Sequence, residues 1–245
     1  MIAHSEISQQ RSSAGAEAQL PAESSDPNPA DLPTARERLI VALDFPRADL
    51  ALSLVDRLEG TCRWFKVGLE LYLAEGNGVI SELRRRELSV FLDLKLHDIP
   101  NTVASAVRSA ARLGASMLTV HASGGPDMMA AAVEAAAQEP DAPTLLAVTV
   151  LTSMDAAQLA ATGVPLGPAE QVERMAKLAL ACGVPGLVAS AQEVRRLRLE
   201  FGQKPVLVIP GIRPHGDSAG DQKRIATPGE AISQGASYLV VGRPI

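Results

Sequence analysis

Short apolar runs alternate with segments of helical spacing from Leu39 to the end of the chain. Each run is rich in Leu, Val, Ile and Ala without alternating polar positions, which is typical of parallel strands buried on both faces. Residues 88–92, for example, lead into a cluster of charges, and residues 238–242 lie three residues before the C-terminus. The predicted strands are 39–43, 64–68, 88–92, 116–121, 144–150, 186–190, 205–209 and 238–242.

The segments between these strands have helical spacing, which favours parallel strands joined by crossover helices. The predicted helices are 48–58, a region reaching about residue 86, 101–113, 126–138, 168–181, 192–201 and 227–234. Eight strands that alternate with helices predict a (β/α)8 barrel over residues 37–245. A doubly wound open sheet is the alternative, but no G-x-G-x-x-G follows the first strand and no phosphate-loop signature occurs, so the barrel is favoured.

Residues 1–36 are rich in Ser, Ala, Gln, Glu and Pro and have few large apolar side chains. Such a segment cannot bury enough surface to offset the entropy of ordering, so a disordered N-terminal tail is expected. It lacks the apolar centre of a signal peptide, and its acidic residues argue against a transit peptide.

Composition and charge narrow the class of protein. Apolar residues make up 47% and charged residues 21%, which fits a globular chain with a sizeable core. The net charge of −5 argues against the basic surface that binds nucleic acid. No apolar run is long enough to cross a bilayer. Cys62 and Cys182 lack metal-ligand spacing, so a cytoplasmic protein with reduced thiols is expected.

Charged residues close the first three predicted strands: Asp44, Lys66, and the pair Asp93 and Lys95. Each charge alone could be a strand end that reaches solvent, or part of a mutually neutralising ion pair. In a barrel, however, these strands are neighbours and their carboxyl ends share the edge where barrel enzymes place their active sites. Residues two apart in a strand face the same side, so Asp93 and Lys95 should project together.

Alternating charge has a chemical use. The ammonium groups of Lys66 and Lys95, separated by Asp93 and Asp98, would form an array with little freedom to relax. Such an array suits chemistry in which negative charge accumulates on carbon and is then protonated. Lys95 is the predicted proton donor.

The loops after the seventh and eighth strands predict a phosphate site. Arg213 follows Pro210 and Gly211, and Arg243 follows Gly242; loops in these positions frequently bind phosphate in this fold. The long polar connection 212–228, which contains Gln222, is a candidate lid, and a flexible surface loop is the alternative. His97 lacks the partners of a nucleophilic triad, and His121 either lines the rim of the barrel or caps the fourth strand. No set of metal ligands stands out.

These motifs resemble those of the orotidine 5'-phosphate decarboxylase family. The resemblance rests on the following segments, in family order: Ile40-Val-Ala-Leu-Asp44, Phe65-Lys66-Val-Gly68, Asp93-Leu-Lys95-Leu-His-Asp98-Ile-Pro-Asn-Thr102, Val120-His-Ala-Ser-Gly-Gly125, Val148-Thr-Val-Leu-Thr-Ser153, Pro210-Gly-Ile-Arg-Pro214, Ala219-Gly-Asp-Gln222 and Val241-Gly-Arg-Pro244. It implies a homodimeric barrel that removes CO2 from orotidine 5'-monophosphate to give UMP, without metal or organic cofactor.

The resemblance also implies roles for individual residues. Lys95 would protonate C6 of the pyrimidine, Asp93 and Lys66 would complete the array, and Asp98 would cross into the partner's site. The implied substrate contacts are Asp44 on the nucleoside, Thr152 on the pyrimidine, Ile99 and Thr102 beside Asp98, and Arg213, Gln222, Gly242 and Arg243 at the phosphate.

Two alternative functions stay open, one enzymatic and one non-catalytic. A Mg2+-dependent barrel acting on a sugar phosphate would share Asp93, Lys95 and Asp98, but the motifs on the pyrimidine side and after the seventh strand argue against it. A non-catalytic nucleotide-binding barrel is the other alternative. Family members continue past the Gly-Arg-Pro segment with a final helix, which this chain, ending at Ile245, is expected to lack. One side of the first and eighth strands would then be exposed unless dimerisation covers it.

Overall fold

A computed structural model describes residues 34–58, 60–214 and 224–245. Its strands form a closed barrel in chain order, and every neighbouring pair is parallel, including β1 with β8. The predicted (β/α)8 barrel is therefore confirmed, and the open-sheet alternative is excluded because β1 has a partner on each side. The strands are Leu39–Ala42 (β1), Trp64–Gly68 (β2), Ser89–Leu96 (β3), Met117–His121 (β4), Thr144–Val148 (β5), Gly186–Val188 (β6), Val206–Ile209 (β7) and Tyr238–Val241 (β8).

Helices cover the outside of this barrel in the crossover connections, and one further short helix precedes β1. They are Ala35–Arg38 (α1), Ala48–Arg57 (α2), Leu69–Glu75 (α3), Asn77–Arg85 (α4), Pro100–Arg112 (α5), Gly125–Ala137 (α6), Ala156–Ala161 (α7), Pro168–Ala181 (α8), Ala191–Phe201 (α9) and Pro228–Ser233 (α10). Among the described residues, no helix is both long and apolar enough to cross a membrane.

Three local features differ from the predicted elements. The helical region before β3 is broken at Gly76, whose φ of 63° ends α3 and allows α4 to begin. Helix α7 was not predicted, although Asp155 and Gln158 form the capping box that starts it. β3 continues through the charged residues to Leu96, whereas the apolar run predicted an end at Leu92.

The core has two parts because successive side chains on a strand point to opposite faces. Outward-facing residues such as Val41 and Phe65 pack against the helices, while a smaller cluster fills the barrel interior. Gly186 completes this interior, because a Cβ there would lie 2.5 Å from Leu146 Cδ2. The interior cluster comprises Ile40, Ala42, Phe91, Met117, Leu146, Val208 and Val240.

Candidate active site

The polar side chains of the site continue the inward-facing positions of the strands towards their carboxyl ends. Asp44 lies two residues beyond Ala42, and Asp93 lies two residues beyond Phe91. Because inward positions recur every second residue, both carboxylates are directed to the mouth of the barrel, above its apolar filling. The sequence alternation that builds the core thus also places the charges.

Four of these side chains, Asp44, Lys66, Asp93 and Lys95, form a continuous series that we call the charged row. Lys66 Nζ donates to Asp44 Oδ1 at 2.8 Å and lies 4.0 Å from Asp93 Oδ2. Lys95 Nζ lies 2.9 Å from both carboxylate oxygens of Asp93. The Lys66 and Asp93 side chains are only 10% and 15% exposed, so each charge depends on its neighbours in the row for the solvation that water would supply.

Gly68, at the end of β2, leaves space for this row. A Cβ at that position would lie 2.8 Å from Lys66 Nζ and 3.3 Å from Asp44 Oδ1. A larger residue would therefore push the ammonium away from its carboxylate partner. The glycine in the Phe-Lys-Val-Gly motif is explained by this close approach.

The backbone at Lys95 is unusual. Its φ of 51° lies in the left-handed region, where a residue with a Cβ carries a cost of about 1–2 kcal/mol. The pairing of β3 with β4 also shifts here, since Leu92 pairs with Leu118 but Leu96 pairs with Val120. Four steps along β3 therefore match two along β4, a bulge that interrupts the ladder at Asp93 and Lys95.

The charged row forms one wall of a cavity of about 650 Å3 at the carboxyl ends of the strands. A second wall is contributed by the segment after β5, including Leu151, Thr152 and Ser153. Residues that follow β7 and β8 close the remaining side: Pro210, Gly211, Arg213, Gly242 and Arg243. An anionic group and a heterocycle can therefore be bound in one cavity, with cationic side chains on two of its walls.

Comparison with known proteins identifies the family. The model of the "Orotidine 5'-phosphate decarboxylase / HUMPS family" matches residues 37–245. The chain belongs to this family. It is 52% identical over 208 residues to the orotidine 5'-phosphate decarboxylase of Escherichia coli O81 (strain ED1a), covering 84% of this chain and 85% of that protein.

Solved structures of similar proteins show the same fold. An orotidine 5'-phosphate decarboxylase from Lactobacillus acidophilus superposes with a TM-score of 0.73 at 38% identity, covering 85% of this chain and 91% of that one. An uncharacterized conserved protein from Geobacillus kaustophilus gives a TM-score of 0.74 at 37% identity, covering 84% and 90% of the two chains.

Of the residues that the sequence singled out, eight line the cavity of this family member, and three lie outside it. Asp98, Ile99 and Thr102 follow β3 at the start of α5 and are exposed, with Asp98 Oδ1 accepting a hydrogen bond from the Ile99 amide at 2.6 Å. Gln222 lies outside the described residues. The eight in the cavity are Asp44, Lys66, Asp93, Lys95, Thr152, Arg213, Gly242 and Arg243.

Sequence reasoning missed a buried ion pair behind the second wall. Arg224 Nη1 contacts Glu193 Oε1 at 2.5 Å, and Arg224 Nη2 donates to the carbonyls of Val150 and Leu151 at 2.9 and 3.1 Å. Glu193 in turn accepts from the Ser190 amide and so caps α9. The pair thereby fixes the backbone next to Thr152; Glu193 within a capping-box pattern was the available signal.

Sequence reasoning also missed Thr119, a polar residue within the apolar run of β4. Its hydroxyl donates to Asp93 Oδ1 at 3.0 Å and accepts from the Lys95 amide at 2.8 Å. A threonine at an inward position, two residues after Met117, was the available signal.

The two histidines near the row form a pair of their own. The rings of His97 and His121 stack with centroids 5.3 Å apart, and His121 Nδ1 lies 2.7 Å from Ser123 Oγ. Burial lowers the pKa of His121, with smaller contributions from His97 and Lys95, so this ring is neutral at neutral pH. Within the described ranges, no group of three or more His, Cys, Asp or Glu side chains is arranged to hold a metal ion.

Proposed function

We propose that this chain removes CO2 from orotidine 5'-monophosphate to give UMP. The observation that carries the proposal is the charged row, whose Lys95 ammonium opens into a cavity with two arginines on another wall. The relatives named as orotidine 5'-phosphate decarboxylases support the same reaction.

In the proposed reaction, the bond from C6 of the pyrimidine to its carboxylate carbon breaks, and the electron pair stays on C6 as CO2 leaves. The Lys95 ammonium faces this developing charge and transfers a proton to C6, after which the amine regains a proton from solvent. Lys95 Nζ has three N–H donors, and its two contacts with Asp93 leave one to point at the substrate. Little reorganisation is needed, because Asp93, Lys66 and Asp44 already order the charges.

The remaining cavity residues are proposed to bind the rest of the nucleotide. Arg213 and Arg243, with the Gly242 backbone and Gln222, would bind the phosphate, and Thr152 would contact the pyrimidine. Asp44, which is 57% exposed at the end of the row, would bind the ribose. Binding energy from the distant phosphate can then be used to hold C6 against Lys95.

Asp98, Ile99 and Thr102 are proposed to complete the site of a second copy of the chain in a homodimer. Their exposure supports this, since Ile99 is 68% exposed although it is a large apolar residue directly after the catalytic strand. Asp98 would then add a second carboxylate next to the partner's Lys95, as the alternating array requires.

Mixing two inactive variants tests this arrangement. In a heterodimer of Lys95→Ala and Asp98→Ala chains, one site has both defects and the other has neither. Random reassociation should therefore restore about a quarter of the parent kcat per site, because half the dimers are mixed and half their sites are intact. No restoration after subunit exchange, checked by mass spectrometry of the intact dimers, would place Asp98 in its own chain's site.

The reaction is proposed to need no metal or organic cofactor, which an assay with chelator tests. Purified protein dialysed against EDTA is expected to convert orotidine 5'-monophosphate to UMP at an unchanged kcat, measured by chromatography of the product. Activity that is lost with EDTA and restored by Mg2+ would favour a metal-dependent sugar-phosphate enzyme of the same barrel. UMP binding without turnover would favour a non-catalytic nucleotide-binding barrel.

The proposed compartment is the cytoplasm. Cys62 and Cys182 are free thiols, Cys62 buried and Cys182 half-buried, as expected of a reducing environment. Burial raises the pKa of the Cys62 thiol, which keeps it protonated and unreactive.

A further inference from the structure

Thr119 connects the two residues on which the charged row depends. It lies in β4, is completely buried, and contacts the row from the neighbouring strand. Its hydroxyl has one proton to donate, which points at Asp93 Oδ1, and its oxygen accepts the Lys95 amide proton. The Thr119 side chain therefore binds the carboxylate of Asp93 and the backbone amide of Lys95 at the same time.

The hydrogen bond to the Lys95 amide replaces a bond that the bulge removes. In a regular parallel ladder, a strand amide donates to a carbonyl of the adjacent strand. Between Leu92 and Leu96 the pairing of β3 with β4 is interrupted, and the Lys95 amide instead donates to the Thr119 side chain. Without this acceptor, the amide would be left unsatisfied at the point where the backbone is already strained.

The hydrogen bond to Asp93 fixes the direction of the carboxylate. Asp93 Oδ1 accepts hydrogen bonds from Thr119 Oγ1 at 3.0 Å and from Lys95 Nζ at 2.9 Å. Asp93 Oδ2 faces Lys95 Nζ and Lys66 Nζ. The β-branched threonine has a restricted χ1 angle, and Asp93 and the Lys95 amide lie at set positions on β3. The hydroxyl can therefore hold both groups in one arrangement with little further loss of side-chain conformational entropy.

We propose that Thr119 is a positioning residue for decarboxylation: it holds Lys95 in its left-handed backbone conformation and orients Asp93, so that the ammonium faces C6. This inference rests on the proposed function. A displacement of about 1 Å in a reacting group can lower a rate roughly 100-fold, so the loss of Thr119 should affect turnover more than substrate binding.

Substitution of Thr119 and of a matched threonine tests the proposal. Thr149 is also buried, and its hydroxyl donates to the Val188 carbonyl at 2.9 Å, away from the charged row. Thr119→Val and Thr149→Val each lose one buried hydroxyl at nearly constant volume. We expect kcat to fall about 30-fold in Thr119→Val, with KM within about twofold of the parent value, and both constants to stay near the parent values in Thr149→Val.

Two further variants separate positioning from folding. Thr119→Ser keeps the hydroxyl and is expected to retain kcat within about threefold, whereas Thr119→Ala should repeat the loss seen with valine and serves if the valine variant does not fold. Equal losses in Thr119→Val and Thr149→Val, or a serine variant as slow as the valine variant, would overturn the proposal. So would a parent-like kcat in a folded Thr119→Val protein.

Amide hydrogen exchange at Lys95 provides a readout that does not depend on activity. In Thr119→Val, the Lys95 amide should exchange about tenfold faster than in the parent, while Thr149→Val leaves its rate unchanged. If the parent chain does not convert orotidine 5'-monophosphate, the proposed function fails, and the exchange rate alone decides the role of Thr119. Unchanged Lys95 exchange in Thr119→Val would then contradict it.

Discussion

Replacing Lys95 with alanine is expected to lower kcat by about 10⁴-fold, because the change removes both the proton donor and the positive charge that faces C6. The barrel should remain folded. Asp93 keeps the Thr119 hydroxyl and the nearby Lys66 ammonium, so its carboxylate is not left without partners. Alanine has the same Cβ as lysine, so the backbone strain at this position is unchanged.

The measurement is the steady-state rate of UMP formation, together with the affinity for UMP and the thermal unfolding midpoint. Lys177→Ala, an exposed substitution on α8, is the control and should have parent values for all three. A Lys95→Ala protein that binds UMP, unfolds normally and still turns over within about tenfold of the parent would show that another group is the acid.

Removing Arg224 is expected to destabilise the folded chain by about 3–5 kcal/mol, because Glu193 would be left as a buried charge without its partner. The side chains of Arg224 and Glu193 are only 7% and 4% exposed, so water cannot replace the lost contact. The carbonyls of Val150 and Leu151 would also lose their donor. Since Thr152 follows directly, KM for the substrate should rise in the same variant.

A double-mutant cycle separates the buried pair from its surroundings. Arg224→Ala, Glu193→Ala and the double variant are compared by urea denaturation, and the double variant should lose less free energy of unfolding than the two single losses added together. Arg85→Ala, which breaks a surface pair with Glu82, is the matched control, and its free energy of unfolding should stay close to the parent value. Strictly additive losses at Arg224 and Glu193 would contradict a coupled pair.

The barrel could be predicted because each strand carries its own signal. A continuous apolar run such as residues 206–209 needs two covered faces whatever its neighbours are, and eight such runs between helices leave few topologies. The charged row followed from the same rule, since Asp44 and Asp93 occupy inward positions that can be counted from the apolar residues before them.

Other parts of the site depend on pairings that no local pattern contains. The bulge at Lys95 is a mismatch between β3 and β4, which becomes visible only when the two strands are aligned. Thr119 and Arg224 act through partners 26 and 31 residues away, respectively, so their polar atoms could not be assigned from spacing alone. Helix α7 was missed for a different reason, because six residues give too little periodicity to recognise.

In the proposed reaction, this chain replaces the C6 carboxylate of orotidine 5'-monophosphate with a proton. The most direct test is the chelator assay run in D2O, with the product examined by NMR at C6. The predicted result is UMP carrying one deuterium at C6 for each CO2 released, because the Lys95 ammonium exchanges with solvent before it donates. Unchanged substrate in the presence of folded protein, or UMP whose C6 hydrogen does not come from solvent, would contradict the claim.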